Sequence, residues 1–138
     1  MATKIGEHEF EIDPPDVVIM RWRGALTPTE FGRGIEYLRG KCSDWPHMLL
    51  LADLSGVTTI PADVRRIVPE LTAWMPFRGV VITGASFTIR TVAVMLFKVI
   101  NLVRGTDNPT HYASSEEDAR QWLAQRRREL AEAAGGDR

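Results

Sequence analysis

An excess of charge of either sign and an apolar leader are missing from this sequence, and cysteine is nearly so. Cys42 is the single cysteine among 138 residues, so no disulfide can form within the chain and a reducing compartment is favoured. The net charge of −1 gives no field that would attract nucleic acid or an anionic membrane. No apolar signal-peptide core occurs in the first residues, MATKIGEHEFEID. We therefore expect a cytoplasmic protein without a nucleic-acid partner.

Residue patterns that carry catalytic or metal chemistry are also missing. The three histidines have no metal-ligand spacing; they are His8, His47 and His111. Cys42 lies beside Lys41 and Asp44, and nothing local favours a reactive thiolate. No P-loop, dinucleotide fingerprint or Gly-x-Ser-x-Gly motif occurs. We expect no metal, no cofactor and no enzymatic activity.

The most informative stretch covers residues 48–64 and reads MLLLADLSGVTTIPADV. Its unbroken apolar start predicts a strand that is buried on both faces. Pro61 and Asp63 then predict the start of a helix. Because ligands and partners of open α/β sheets meet such loops at the carboxyl ends of strands, we take four polar residues as candidates for partner binding: Ser55, Thr58, Thr59 and Asp63.

The remaining sequence alternates between strand and helix signals. Alternating polarity and turn residues predict further strands at residues 4–12, 17–22, 77–83 and 108–113. Cap and stop signals predict helices from Thr27 to Gly40, from Ser86 to Gly105, and from Ser114 to a disordered tail at residues 133–138. The segment 64–74 has helical spacing, but Pro69 predicts a kink or two short pieces there.

The order ββαβαβαβα predicts the fold class. Each crossover after the first hairpin contains a helix, which indicates parallel strands. We expect one α/β domain at residues 1–132, with a mostly parallel sheet, an antiparallel N-terminal strand and four helical segments.

Residues 49–60, LLLADLSGVTTI, resemble the central strand and loop of STAS domains, the anti-sigma-factor antagonist family. The order of elements matches as well. Gly6 and Glu9 in the first strand, and the Ser-rich, acidic helix start followed by Trp122 and Leu123, are most similar to the SpoIIAA-like branch, which is sometimes grouped with lipid-binding SEC14-type domains. The resemblance implies a domain that regulates a protein partner by binding and not by catalysis.

One position departs from the pattern of that family. In the antagonists the segment continues Asp-Ser-Ser-Gly and its second serine is phosphorylated, whereas residues 61–64 here read Pro-Ala-Asp-Val. Asp63 therefore stands at the phosphoacceptor position, with one charge where a phosphoserine has nearly two. We expect that phosphorylation there is not the switch. Asp63 is either a fixed charge that a partner binds or a residue of a helix first turn.

Residues 87–103, FTIRTVAVMLFKVINLV, contain more apolar side chains than one helix face needs. A stripe at residues 89, 92, 93, 96, 99, 100 and 103 is sufficient. The surplus residues are Phe87, Val94, Met95, Phe97 and Leu102. With Arg90 and Lys98 inside it, the segment is too short and too charged to span a bilayer.

This surplus leaves three alternatives. A second subunit covers it, an apolar ligand or lipid lies in a cavity beside the helix, or the helix is deeply buried. We favour the homodimer over the ligand cavity. The leading functional hypothesis is a regulatory protein-interaction module of STAS type, and the alternative is an apolar-ligand or lipid-binding domain.

Overall fold

The apolar run that begins at residue 48 forms the fourth of six strands in the computed structural model, which describes residues 2–136. All six strands lie in one sheet, in the order in which they occur along the chain. The elements are β1 (Ala2–Ile5), β2 (His8–Asp13), β3 (Val17–Arg23), α1 (Pro28–Cys42), β4 (Met48–Gly56), α2 (Ala62–Leu71), β5 (Phe77–Thr83), α3 (Phe87–Arg104), β6 (Thr110–Ala113) and α4 (Glu116–Gly136).

The sheet combines antiparallel and parallel pairs. Strands β1, β2 and β3 pair antiparallel, and β3, β4, β5 and β6 pair in parallel through helical crossovers. Leu50 of β4 lies opposite Val18 of β3 and Val80 of β5. The predicted α/β class is confirmed, with its mostly parallel sheet, antiparallel N-terminal part and four helices.

Strand β4 is buried on both faces because helices cover the sheet from both sides. Met48, Leu50 and Ala52 belong to the larger core, which they share with α1, α2 and α3. Leu49 and Leu51 belong to a smaller core under α4. This alternation follows from the two-residue period of a strand.

The stretch 4–12 was predicted as one strand, and that prediction is wrong. Ile5 pairs with His8, so Gly6 and Glu7 form a two-residue hairpin loop between β1 and β2. Gly6 has a φ of 62°, which glycine adopts without strain. Glycine at the first loop position is typical of a type II′ turn. The sheet therefore begins one strand earlier than the order ββαβαβαβα.

Local capping signals predicted the starts of α1 and α3 correctly. Thr27 Oγ1 accepts a hydrogen bond from the N–H of Glu30 at 3.1 Å, and α1 begins at Pro28, directly after Thr27. Ser86 Oγ accepts from the N–H of Ile89 at 3.3 Å and caps α3. Gly105, with a φ of 67°, ends α3 as predicted.

The other helix bounds differ from those predicted. Helix α1 continues past Gly40 to Cys42. Helix α2 is one piece that contains Pro69 and ends two residues later, so the alternative of two short pieces is wrong; Pro69 has no N–H to donate to the preceding turn. Helix α4 reaches Gly136, within the stretch 133–138 that we expected to be a disordered tail, and residues 137 and 138 lie outside the described range.

Helix α1 packs closely against β2 at Gly34. A Cβ atom at Gly34 would overlap the ring of Phe10, which is fully buried. Gly40, near the end of the same helix, has no neighbour within 4 Å of such an atom. The two glycines therefore separate the effect of packing from the effect of helix propensity.

Gly34→Ala is expected to lower the free energy of unfolding by about 1–3 kcal/mol, because the new methyl group overpacks the core. Gly40→Ala, the matched control, should raise it by about 0.5–1 kcal/mol, since alanine favours helices. Urea unfolding of both variants measures the difference. A Gly34→Ala protein as stable as Gly40→Ala would contradict the close packing of α1 on β2.

Helix α4 is held to the rest of the fold by ion pairs at its start and near its middle. Near its start, Glu116 Oε1 accepts from Arg21 Nε of β3 at 3.0 Å. Farther along, Arg127 Nε lies 3.1 Å from both carboxylate oxygens of the buried Asp16, and His47 Nε2 lies 3.1 Å from Asp16 Oδ2. Burial alone would raise the pKa of Asp16, but the hydrogen bonds from Arg127 and His47 outweigh burial and hold it below its usual value.

The lowered pKa of Asp16 predicts a pH-dependent contribution to stability. The contribution is complete above the unfolded-state pKa, about 3.9, and is lost as the pH falls through the lower folded-state value. We expect Asp16→Asn to cost about 1–3 kcal/mol at pH 6 and much less at pH 2. Melting temperatures of the variant and the wild type at pH 6 and at pH 2 test this. Asp44→Asn, in an exposed loop, is the control. Its melting temperature should differ from that of the wild type by the same amount at both pH values.

Candidate binding surfaces

Polar side chains gather where β3, β4 and β5 end, at one edge of the sheet. Asp53 of β4 lies opposite Thr83 of β5, and both are buried. Ser55 and Gly56 still belong to β4, so the strand is longer than its apolar run indicates. A short loop then leads into α2. In open α/β sheets this edge is where ligands and partners bind.

Asp53 organises the base of that loop. Its Oδ1 accepts the backbone N–H of Ser55 at 2.9 Å, and its Oδ2 lies 3.2 Å from Arg23 Nη1. The same nitrogen of Arg23 donates to Ser55 Oγ at 2.8 Å. Gly84 packs over this group so closely that a Cβ atom there would lie 2.7 Å from Ser55 Cβ. These contacts fix the base of the loop and leave its outer side to solvent.

The four residues predicted to bind a partner are all exposed, although Ser55 also belongs to the base of the loop through its contact with Arg23. We call residues 55–63 the edge loop. Its exposed polar residues are Ser55, Thr58, Thr59 and Asp63. Two buried residues between them, Val57 and Ile60, anchor the loop in the larger core. The structure therefore places the four side chains on one exposed segment, and their role in partner binding stays a prediction.

Asp63 lies in the first turn of α2 and is exposed. Pro61 precedes the helix and supplies no side-chain cap. Asp63 Oδ1 lies 2.9 Å from the backbone nitrogen of Val64, whose N–H it accepts. The negative charge also suits the positive end of the helix dipole. Asp63 thus has a local structural role, and its second carboxylate oxygen remains open to a partner.

Helix α3 presents an apolar face to solvent. Five large apolar side chains on it are between 42% and 81% exposed: Phe87, Met95, Val99, Leu102 and Val103. Isolated exposed apolar residues are common, but a row of them along one helix makes this side of α3 a candidate interaction surface. We call these five residues the α3 face.

The phase of α3 differs in part from the predicted one. Val94 and Phe97, which we counted as surplus, are half-buried and pack against the larger core. Val99 and Val103, which we assigned to the buried stripe, are exposed instead. Nearly every position of this helix is apolar, so its periodicity could not show which side faces the sheet.

An apolar cavity of about 70 Å³ lies between the sheet and helices α2 and α3. Trp22 lines it from β3, Val68 from α2, and Ala93, Phe97 and Ile100 from α3. Pockets that hold drug-sized ligands are about 300–1,000 Å³. The cavity as it stands therefore admits only a few carbon atoms.

His8 and Arg23 lie at the same edge of the sheet, where β3, β4 and β5 end. The sequence did not indicate that either residue belongs to a site. His8 Nδ1 accepts the backbone N–H of Arg23 at 3.0 Å, which places the ring proton on Nε2. That nitrogen is buried, has no hydrogen-bond partner among the described residues, and lies 3.6 Å from Glu30 Oε2. In the sequence, His8 and Phe10 alternate with Glu9 and Glu11, and this alternation could have predicted that His8 is buried.

Groups that could support metal or thiol chemistry are scarce in residues 2–136. No three His, Cys, Asp or Glu side chains there lie close enough to hold a metal ion. Burial, together with the charge of Asp44, raises the pKa of Cys42 to about 11, so its thiol stays protonated. Within the same residues, no helix combines the length and the apolar character that crossing a bilayer requires.

Comparison with known proteins gives no relative from which a function can be carried over. No family model, curated protein or solved structure matches this chain. The resemblance to STAS domains rests on residues 49–60 and on the order of elements, and it stays a prediction.

Proposed function

We propose that this chain is a non-enzymatic regulatory module of STAS type, which binds a protein partner through the edge loop. One observation carries the proposal. All four polar candidates of the loop are exposed, while its base is fixed by Asp53, Arg23 and two buried apolar residues. A rigid loop loses little conformational entropy on binding, which favours recognition.

Asp63 is the charge that the partner binds in this proposal. Its side chain is exposed, and the N–H of Val64 engages one of its two carboxylate oxygens. A carboxylate on a helix first turn has a fixed position and accepts charge-assisted hydrogen bonds from arginine or lysine. The partner group that meets Asp63 is therefore a basic side chain, and the interaction does not require phosphorylation at this position.

Asp63→Asn is expected to weaken partner binding by about tenfold, the effect of losing one charged contact worth about 1.4 kcal/mol. Glu117→Gln is the matched control, because Glu117 is also an exposed acid in the first turn of a helix, α4. Both variants lose a similar helix-dipole interaction of about 0.3–1 kcal/mol.

The partner is first captured from native cells with the tagged wild-type chain, and calorimetry then compares the two variants. Loss of binding by Asp63→Asn alone supports the proposal. Equal affinities for wild type and Asp63→Asn, with equal small losses of stability in both variants, would leave Asp63 as a helix-start residue only.

The second candidate function is the binding of a small apolar ligand, and the cavity beside α3 favours it. Residues from the sheet, α2 and α3 enclose it, and nearly all of them are apolar. An acyl chain would need more space, so α3 would have to move outward. Such a movement would also change the exposure of the α3 face.

A fluorescent fatty acid tests this candidate by titration. If the cavity receives the chain, binding should saturate at one molecule per protein. Ala93→Leu, which narrows the cavity, should then abolish binding. Thr91→Leu adds similar bulk at an exposed position of α3 and should not. Equal binding by both variants would place the fatty acid on the surface and contradict a cavity site.

A further inference from the structure

The exposed side of α3 is centred on Met95. At about 100° per residue, Thr88, Thr91, Val99 and Leu102 all lie within roughly 40° of Met95, and all are exposed. Ala93, Phe97 and Ile100 point the opposite way and line the cavity. Met95 therefore lies at the middle of the exposed side, and Phe87 and Val103 of the α3 face lie about 80° to either side of it.

This surface is complementary to itself when two copies run antiparallel. A two-fold axis at Met95 places position 95 + n of one helix opposite position 95 − n of the other. Val99 then lies opposite Thr91, Leu102 opposite Thr88, and Val103 opposite Phe87. Leu102 thus meets the smaller Thr88, Val99 meets Thr91 of similar shape, and no charged side chain of α3 lies opposite another.

The charges of α3 favour a second copy over an anionic membrane. Arg90 lies over the Tyr112 ring at 4.4 Å, and Arg104 donates to the carbonyl oxygen of Met75. Both are half-buried, so Lys98 is the exposed cation of the helix. Adsorption to anionic lipid depends on several exposed cations, each contributing about 1 kcal/mol.

The single lysine does not oppose the dimer. Lys98 lies three residues from the axis, so the Lys98 residues of the two protein copies are about 9 Å apart along the helix direction. Salt screens charges over about 8 Å at physiological ionic strength. The repulsion between the two lysines is therefore small, and each lies opposite Val92 of the other copy.

We propose that α3 forms an antiparallel, two-fold symmetric homodimer interface centred on Met95. The proposal is independent of the edge loop. Five large apolar side chains, each about 100 Å² when fully exposed, give a patch of about 300 Å² per copy at the observed exposures. Stable interfaces bury about 800 Å² per copy. The dimer is therefore weak, and its population depends on protein concentration.

Sedimentation velocity across a concentration series is the first test. The wild type should shift from monomer to dimer between micromolar and millimolar protein. Met95→Glu places two carboxylates against each other at the axis and should raise the dissociation constant at least tenfold. Gln121→Glu is the matched control on the exposed side of α4, and it should dimerise like the wild type.

Stability of the variants is measured in parallel. Met95 is exposed, so Met95→Glu should keep the wild-type melting temperature. If it does not, Leu102→Gln, at the most exposed position of the α3 face, repeats the test without adding charge. A folded Leu102→Gln that dimerises as strongly as the wild type would overturn the proposal.

Cross-linking tests the position of the axis. Met95→Cys should form an intermolecular disulfide under mild oxidation, because the axis brings the two thiols together. Gln121→Cys should not, and the native Cys42 is fully buried and cannot contribute. Three results would overturn the proposal: a wild type that stays monomeric at millimolar concentration, equal cross-linking of both cysteine variants, or binding to phosphatidylserine vesicles that Met95→Glu abolishes while no dimer forms.

Discussion

Burial of strand β4 on both faces is the constraint on which the rest of the structure depends. Its residues alternate between two cores, so each side of the sheet needs its own cover. Three helices cover one side, and α4 alone covers the other. One helix buries less apolar surface than three, and the contacts of Arg21 with Glu116 and of Arg127 with Asp16 fix α4 at its start and near its middle. The ion pairs around Asp16 therefore have a structural role.

Much of the fold could be predicted because its signals are local. Thr27, Ser86 and Gly105 act through bonds within a few residues of themselves, so the start of α1 and both ends of α3 follow from the sequence. The N-terminal strand was predicted wrongly because the alternating polarity of residues 4–12 continues through Gly6, and only the pairing of Ile5 with His8 reveals the turn.

The candidate site was predictable in part, for a related reason. The edge loop follows from the order of strand, polar loop and helix, but the contacts of Arg23 with Asp53 and Ser55 join two different strands. No local pattern identifies such a partner. The orientation of α3 could not be predicted either. Val94 is half-buried and Val99 is exposed, yet both are valines, so polarity does not fix the phase of the helix. Packing on the sheet decides it.

The two proposed surfaces meet at the N-terminal end of α3. Gly84 packs on Ser55 at the base of the edge loop, and Phe87 of the α3 face follows three residues later. In an antiparallel pair, the N-terminal ends of the two helices lie apart by roughly the length of α3, 18 residues or about 27 Å. The dimer would then present two edge loops at its opposite ends. Two such loops bind a partner with repeated basic sites more tightly than one loop does, since the second contact forms at high effective concentration. Weak self-association would thus make partner binding depend on the concentration of the chain itself.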